Sequence, residues 1–261
     1  MRMLNTISNR INKYSFLFEE LVKRDFKKRY KRTFLGIIWS LLGPMLQLFV
    51  MSLVFVNFFG QNMPHFMIYV FCGLLVFSFF KESTSMGMQS LMANSGIFSK
   101  LKVPKYLFLF SRNVSSLVNF GLTLIIFFLF AFIDGVAFHP RFILLLYPII
   151  TLTLLNIGLG LVLSALFVFF KDIQYLYDIF TMLLMWLSAI FYTIDGFSLT
   201  IQRLFLLNPV FAHIHYFRLV VLYGATPAWH IHLVIGGYAL LALAVGGYFY
   251  KKFNYRFIYY M

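Results

Sequence analysis

Few side chains in this sequence could perform catalysis or bind a metal ion, and those few are scattered. The 261 residues include 8 Asp and Glu, 6 His and 1 Cys. Two His-x-His pairs, His213 with His215 and His230 with His232, could contribute to a metal site, but no carboxylate or cysteine completes a ligand set beside them. Polar residues at helix ends are the favoured interpretation. We predict no catalytic residue, metal site or cofactor in this chain.

The pattern of charged residues also limits how the chain could obtain energy. The sequence contains no Gly-x4-Gly-Lys-Ser/Thr loop and no Asp-x-Asp motif, so it predicts no nucleotide site. Ionisable residues are nearly absent from the long apolar stretches, since Asp178 and Arg112 lie only near their predicted cytoplasmic ends. Carriers driven by protons or sodium need such groups at mid-depth. If the chain performs active transport, another chain supplies the energy.

Aromatic side chains are the remaining candidates for function, because Phe, Trp and Tyr make up 21% of the chain. Flat rings can stack on the apolar faces of sugars, and four rings in the first and fifth apolar stretches could do so along a path. These candidates are Trp39, Trp186, Phe191 and Tyr192. The alternative for each of them is lipid contact or helix packing.

The elements that position these residues must lie mostly in lipid. With 61% apolar residues, 11% charged residues and a mean hydropathy of +0.85, the chain has too little polar surface for a water-soluble body. A bilayer core about 30 Å thick needs roughly 20 apolar residues per helical crossing. Six stretches qualify, at residues 35–59, 66–80, 107–133, 142–170, 173–194 and 231–250. We predict an all-α membrane protein with one transmembrane domain over residues 1–261.

The orientation of the chain follows from its Lys and Arg residues, because basic loops resist translocation. Ten of the 22 lie in residues 1–35 and 4 in residues 81–105, whereas the predicted external segments hold only Arg141, Arg203 and Arg218. We therefore predict a multi-pass protein of the cytoplasmic (inner) membrane with both termini in the cytoplasm. The net charge of +14 is mostly this orientation signal, and nucleic-acid binding is not predicted.

Residues 11–34 are predicted to form a helix on the cytoplasmic membrane surface. Apolar residues recur there at steps of three and four among many Lys and Arg residues, which is typical of an amphipathic interfacial helix. These apolar positions are Phe18, Leu21, Val22, Phe26, Tyr30 and Phe34. The helix could also rest against a soluble partner. The alternative is a plain anchor on anionic lipid.

The cytoplasmic segment 81–105 is longer than a connection needs. Its apolar residues at 86–92 predict a short helix, which a break at Asn94-Ser95-Gly96 ends, and a basic turn then leads to Pro104. A short helix and a rigid turn could form a knob that a motor subunit pushes. The alternative is an ordinary surface loop.

The external segment 195–230 contains two apolar pieces, 197–207 and 210–223, separated by Asn208-Pro209. Each piece is too short to cross the bilayer. Proline interrupts a helix and restricts the residue before it. We predict a re-entrant helical hairpin that dips into the outer leaflet, or alternatively an interfacial hairpin without a gating role.

The motifs at these places resemble those of one family, the permease subunits of type-two ABC exporters for O-antigen, capsule and teichoic acid. Residues 21–44 carry Arg-Asp, Arg-Tyr, Leu-Gly, Trp and Pro in the order that leads into the family's first span. Further matches are Lys102-Val103-Pro104, Phe170-Lys171-Asp172-Ile173, and Leu207-Asn208-Pro209 followed by Phe217-Arg218. The family usually has Arg where Lys171 stands, which keeps the charge.

This resemblance implies a homodimer whose facing first and fifth spans enclose the path of a lipid-linked polysaccharide. Two copies of a separate ATPase, which binds ATP and magnesium, would dock at the cytoplasmic face. The implied surface-helix residues are Arg24, Asp25, Arg29 and Tyr30. The implied ATPase-coupling residues are Asn94, Phe98, Lys100, Leu101, Lys102, Val103, Pro104, Lys171 and Asp172. The hairpin around Asn208 and Pro209 would be an external gate.

Other classes of protein remain alternatives at this point. A type-two ABC exporter of drugs or lipids shares the six-span plan but usually lacks the basic surface-helix motif. A membrane-bound sugar or lipid transferase needs carboxylates or histidines clustered at one membrane face, and the 8 Asp and Glu residues are scattered. A scaffold without transport activity is a third alternative.

Overall fold

Every regular element in the described part of the chain is helical. The computed structural model describes residues 2–30, 64–98 and 103–260, together with 42–43, 45–47, 49–50 and 53–54. The helices are α1 (Arg2–Tyr30), α2 (Phe66–Gln89), α3 (Ser95–Phe98), α4 (Tyr106–Ile133), α5 (Leu146–Phe169), α6 (Ile173–Leu187), α7 (Leu199–Phe205), α8 (Pro209–Val221), α9 (Trp229–Phe253) and α10 (Phe257–Tyr260). The 3₁₀ turns Met92–Asn94 and Pro140–Leu145 precede α3 and α5. The all-α prediction is confirmed for these residues.

Four described helical segments are long and apolar enough to cross a bilayer. They are α2, α4, Pro140–Phe169 and α9. The helices α7 and α8 pass the same test only as a pair, which is bent by 108°. The predicted spans 107–133, 142–170 and 231–250 correspond to three of the four segments, and the predicted span 35–59 lies largely outside the described residues. Several apolar helices of spanning length identify a multi-pass membrane protein.

The second span is longer than predicted. The sequence Lys81–Ser85 was predicted to end it, but α2 continues for 24 residues to Gln89. Its polar residues are tolerated because they find partners: Ser83 donates to Asn113 Oδ1 at 2.6 Å and Thr84 to the Phe80 carbonyl at 2.7 Å. The predicted break at Asn94-Ser95-Gly96 is also wrong, because the chain turns at Ser90 and Leu91 instead.

The fifth span is shorter than predicted. It was expected over 173–194, but α6 ends at Leu187 after 15 residues. At 1.5 Å per residue α6 is about 22 Å long, less than the roughly 30 Å of a bilayer core. Ala189 then adopts the left-handed conformation with φ of 47°, which turns the chain away from the helix axis.

The helix α2 lies at the centre of the bundle, and α5 and α9 form its tightest helix pair. About 78% of the apolar part of α2 is buried inside the protein, against 28% for α4 and for α9. Where α5 crosses α9, a Cβ atom on Gly158 would collide with the Ala242 backbone, and one on Gly246 would collide with the Gly158 backbone. Small residues allow this backbone contact, which is a common way for helices to pack in lipid.

The ends of the helices gather into two groups. At the histidine end (residues 64–65, 134–141 and 224–232), His65 Nδ1 lies 2.6 Å from Asp134 Oδ2, and Arg141 donates to the Gly224 carbonyl. At the basic end (residues 90–98, 103–105, 170–172 and 251–260), Lys105 Nζ donates to the Asn254 carbonyl at 2.8 Å. This grouping matches the up-and-down order predicted for the described spans.

The glycine contact between α5 and α9 can be tested with two adjacent residues of α9. We expect Gly246→Ala to force the two backbones apart and to cost about 1–3 kcal/mol of stability, the usual cost of overpacking. Thermal unfolding of the purified protein in detergent measures this as a lower melting temperature.

The matched control is Gly247→Ala, because a Cβ atom at Gly247 meets nothing within 4 Å. Alanine favours a helix over glycine by up to about 1 kcal/mol, so this variant should melt at the same temperature or slightly higher. Equal losses for the two variants would contradict the close contact.

Candidate functional site

A polar groove runs along one face of α2. It encloses about 540 Å³, and its walls come from α2, from Gln47 in the first apolar stretch and from Met185 in α6. The polar residues that α2 contributes are Ser78, Lys81, Glu82, Ser85 and Gln89. They recur at steps of three and four, so they form one stripe along the helix. An apolar spanning helix therefore carries a hydrophilic face.

The charged pair at the centre of this stripe corrects an expectation from the sequence. Lys81 and Glu82 were assigned to the cytoplasmic segment after the second span, but they belong to the helix α2. Glu82 is half-buried, and its Oε2 accepts a hydrogen bond from Asn119 Nδ2 of α4 at 3.0 Å, which offsets part of the cost of removing water from the carboxylate. The helical spacing of these polar residues in the sequence could have indicated this stripe. It was not recognised because the residues from Lys81 onward were assigned to a loop.

The aromatic path candidates occupy different environments. The Trp186 side chain is 55% exposed on α6, whereas Phe191 is buried and packs 5.5 Å from it, ring centre to ring centre. Tyr192 is half-buried and donates to the Trp186 carbonyl at 2.8 Å. Trp39 lies outside the described residues. Of the described three, Trp186 presents an open ring face to the surroundings.

At the basic end, the Phe98 side chain joins two apolar clusters. One cluster contains Leu21 of α1 with Phe108 of α4, and the other contains Leu161 of α5 and Phe257 of α10. The Phe98 ring contacts Phe108 edge to face at a centroid distance of 4.8 Å. The short helix α3 is therefore packed, through Phe98, against both apolar clusters at the basic end.

The other predicted coupling residues are spread over this end. Asn94 is buried, and its side chain donates to the Ser90 carbonyl at 2.7 Å. Val103 and Pro104 are half-buried beside the start of α4, while Lys171 and Asp172 form an exposed turn between α5 and α6. Lys100, Leu101 and Lys102 lie outside the described residues.

A buried lysine adjoins the coupling segment. Lys105 precedes α4, and its ammonium group lies 5.4 Å from the centre of the Phe257 ring. Burial lowers the pKa of Lys105 below its ordinary value, because it removes water from the charged group. The hydrogen bond to the Asn254 carbonyl replaces part of that hydration and ties the C-terminal segment to α4.

A buried carboxylate fixes α1 to α4. Asp25 is 4% exposed, accepts from Ser111 Oγ at 3.1 Å and lies 3.6 Å from Arg112 Nε. Arg24 also donates to Asp25, at 2.8 Å from Nη2. Asp25, one of the implied surface-helix residues, thus contacts a spanning helix. The side chains of Arg29 and Tyr30 lie outside the described part of the structure.

Asn208 links the end of α6 to the start of α8. Its side-chain oxygen accepts from the Val210 and Phe211 backbone at 2.9 and 3.3 Å, which caps α8, and Pro209 occupies the first helical position. Its amide nitrogen donates to the Leu187 carbonyl at 3.2 Å. The predicted bend is therefore built around the residues that predicted it, although its depth in a membrane remains a prediction.

Arg218 of α8, which the sequence analysis named only as an external charge and as part of a family motif, is a further functional candidate. It is 3% exposed and donates to the carbonyls of Tyr69, Ala189 and Ile190 at 2.9–3.2 Å. Its guanidinium carbon lies 3.4 Å from the centre of the Tyr69 ring. An arginine within the apolar piece 210–223 could have indicated a buried, hydrogen-bonded side chain. The sequence analysis counted it only as a charge of an external segment.

The histidines do not form a metal site in the described residues. No group of three or more His, Cys, Asp or Glu residues there is arranged to hold a metal ion. His213 is buried between the Pro209 carbonyl and Thr151 Oγ1, at 2.7 and 3.1 Å, and His232 Nε2 lies 2.9 Å from the Tyr216 hydroxyl. These two histidines join helices by hydrogen bonds.

These features define a class of protein: a multi-pass helical membrane protein with a polar groove and a bent helix pair. Comparison with known proteins agrees with this class. Residues 17–222 match the model of the ABC-2 type transporter family, and the chain belongs to that family.

Individual relatives carry more specific names. The chain is 31% identical over 180 residues to the O-antigen export system permease protein RfbA of Myxococcus xanthus, with 67% of each chain covered. It is 24% identical over 247 residues to a protein of the same name from Klebsiella pneumoniae, covering 93% of this chain and 95% of the relative. A second Klebsiella pneumoniae protein of this name is 25% identical over 249 residues.

The role of Arg218 can be tested by its removal. We expect Arg218→Met to leave the buried carbonyls of Ala189 and Ile190 without this donor and to cost about 3 kcal/mol or more, since hydrogen bonds from charged groups are worth about 1.5–3 kcal/mol each. The melting temperature in detergent should fall by roughly 5–10 °C.

The control for this variant is Arg203→Met, which removes an exposed arginine from α7. Surface substitutions of this kind usually change stability by less than about 0.5 kcal/mol. If both variants melt at the temperature of the unmodified protein, the hydrogen bonds of Arg218 do not stabilise the fold.

Proposed function

We propose that this chain is the membrane-spanning subunit of an ATP-driven exporter that moves lipid-linked polysaccharide out of the cytoplasm. Membership of the ABC-2 type transporter family and the names of the relatives support this function. The observation that carries it is the polar groove along α2, because a hydroxyl-rich polymer needs a hydrophilic surface within an apolar bundle. O-antigen, capsule and teichoic acid are the substrate classes considered.

The composition of the groove favours a polysaccharide over a drug or a lipid. Its α2 wall offers hydroxyl, amide, ammonium and carboxylate groups in one stripe, and these groups can exchange hydrogen bonds with successive sugar hydroxyls. The groove also exposes the apolar side chains of Leu74, Phe77 and Met86, which could contact the C–H faces of sugar rings. A transferase is disfavoured because the described residues place one carboxylate, Glu82, in the groove wall, without a second acid or a histidine beside it.

The working unit that we propose is a homodimer in the cytoplasmic (inner) membrane. The helix α6 buries Tyr177, Thr181 and Leu184 against its own bundle and leaves a broad apolar face exposed, including Ile179, Leu183 and Trp186. Together with the first span, this face would meet a second copy and close the groove into a path. Six spans per copy and cytoplasmic termini belong to the same proposal.

Energy would come from two copies of a separate ATPase that binds ATP and magnesium. The partner would push α3 and the following segment 99–104. Phe98 would transmit the displacement because its ring contacts Phe108 of α4 and packs against the cluster that includes Leu21 of α1. The exposed turn Lys171–Asp172 would provide a second contact at the start of α6. The bent pair α7 and α8 would form the external gate, with Asn208 at its hinge.

The groove can be tested by filling it. We expect Ser78→Trp to place a large ring inside the groove and to reduce the appearance of polysaccharide on the cell surface by about tenfold or more, the effect of raising the barrier by ~1.4 kcal/mol. Surface polysaccharide on cells that depend on this chain is measured by extraction and gel electrophoresis.

The matched control is Leu240→Trp, which adds the same ring to the exposed outer face of α9. Export should be unchanged in this variant if the two proteins are present in the membrane at equal amounts. Normal export by Ser78→Trp would argue against the groove as the path. A chain that moves no polysaccharide with its ATPase, but moves a drug or lipid, would refute the proposed function.

The coupling path can be tested at Phe98. We expect Phe98→Ala to lower export about fivefold at an unchanged ATPase content of the complex, as ~1 kcal/mol of lost coupling predicts. ATP hydrolysis per exported chain, measured in proteoliposomes, should rise. Phe110→Ala is the control, because Phe110 packs against only one of the two clusters. The same ratio of hydrolysis to export in all three proteins would exclude Phe98 from coupling.

A further inference from the structure

A second cavity lies near the histidine end, between α8 and the segment that follows α6. It encloses about 400 Å³, which is within the size range of small-ligand sites. It shares no lining residue with the groove, and Tyr69 lies five residues before Leu74, the first groove residue of α2, or about 7.5 Å along that helix. The polar and aromatic residues that line it are Tyr69, Asp195, Gln202, His215, Arg218 and Tyr223.

The cavity combines flat rings with planar polar groups. Phe211 and His215 lie one turn apart on α8 with their rings stacked at an angle of 17°, and Tyr223 is 57% exposed at the mouth. Asp195 is exposed and brings a carboxylate, which can accept two or more hydrogen bonds. Rings suit the C–H faces of a sugar, and carboxylate and hydroxyl groups suit its hydroxyl edges.

Arg218 does not turn this cavity into an anion site. A guanidinium group has five N–H donors, and four hydrogen bonds already run from Arg218 to the carbonyls of Tyr69, Ala189 and Ile190. One face of the guanidinium is covered by the Tyr69 ring. The carboxylate of Asp195 also opposes an incoming anion. The remaining donors and acceptors therefore favour a neutral, hydroxyl-rich ligand over a phosphate.

We infer that this cavity is a carbohydrate subsite, which binds a sugar unit of the exported polymer at the outer side of the protein. The inference rests on the proposed function, because that function supplies the polymer. Gln202 belongs to α7, whereas Phe211 and His215 belong to α8, so a sugar in the cavity contacts both helices of the bent pair. Occupancy of the subsite is thereby linked to the conformation of the gate.

The test uses the full chain in lipid nanodiscs and short oligosaccharides released by mild acid from the surface polysaccharide of the producing cell. Binding is measured by saturation-transfer NMR and by calorimetry. We expect Tyr223→Ala and Asp195→Asn each to weaken binding about tenfold or more, because each removes a stacking or hydrogen-bonding partner. Tyr223→Phe keeps the ring and should lose less affinity than Tyr223→Ala.

The control is Trp229→Ala, which removes an exposed ring at the same end but outside the cavity, and should bind as the unmodified chain does. Each variant must also melt as the unmodified chain does. Unchanged affinity in the two cavity variants, or no oligosaccharide binding by the unmodified chain, would overturn the subsite. Competition by inorganic phosphate would do the same, since it would identify an anion site.

The two proposals fail in different ways. If the unmodified chain exports polysaccharide with its ATPase but binds no oligosaccharide, the subsite is refuted and the proposed function stands. If it exports no polysaccharide, the proposed function is refuted. A loss of binding confined to Tyr223→Ala and Asp195→Asn, in a chain that exports, supports both.

Discussion

The fold depends on how the backbone carbonyls at the end of α6 are satisfied. The helix stops at Leu187, and the next carbonyls have no helical partner. Carbonyl groups that are buried inside the protein cannot turn to water, so each must find a donor within the protein. Asn208 supplies one for Leu187, and Arg218 supplies those for Ala189 and Ile190. Both donors come from the bent helix pair that follows.

This solution attaches the bent pair to the bundle and determines its position. Because Arg218 also donates to Tyr69 of α2, the end of α6, the helix α8 and the central helix meet at one side chain. The carbonyls that accept from this buried cation offset part of the cost of its desolvation. The cavity beside it exists because the chain leaves the axis of α6 early and returns through α7.

Much of this architecture could be predicted from the sequence, because its strongest signals are local. Long apolar runs predict α4 and α9, and Asn208-Pro209 predicts the bend, since a cap and a proline act on their own backbone. The length of α2 could not be predicted in this way. The polar residues Lys81–Ser85 look like the end of a span when only the local sequence is considered. Their hydrogen-bond partners Asn113 and Asn119 lie on another helix, so the local sequence does not reveal them. Arg218 was missed for the same reason, since its acceptors are remote in sequence.

The glycine crossing of α5 and α9 restricts which parts of the protein can move. Two backbones in direct contact cannot slide or rotate past each other without colliding. The helices α5 and α9 are therefore expected to behave as one rigid unit. The proposed transport cycle would then be carried by elements with looser packing. The helix α6 is such an element, with one narrow face packed against the bundle and the rest exposed. In the proposed transport cycle, α6 would therefore be displaced against the fixed pair α5 and α9.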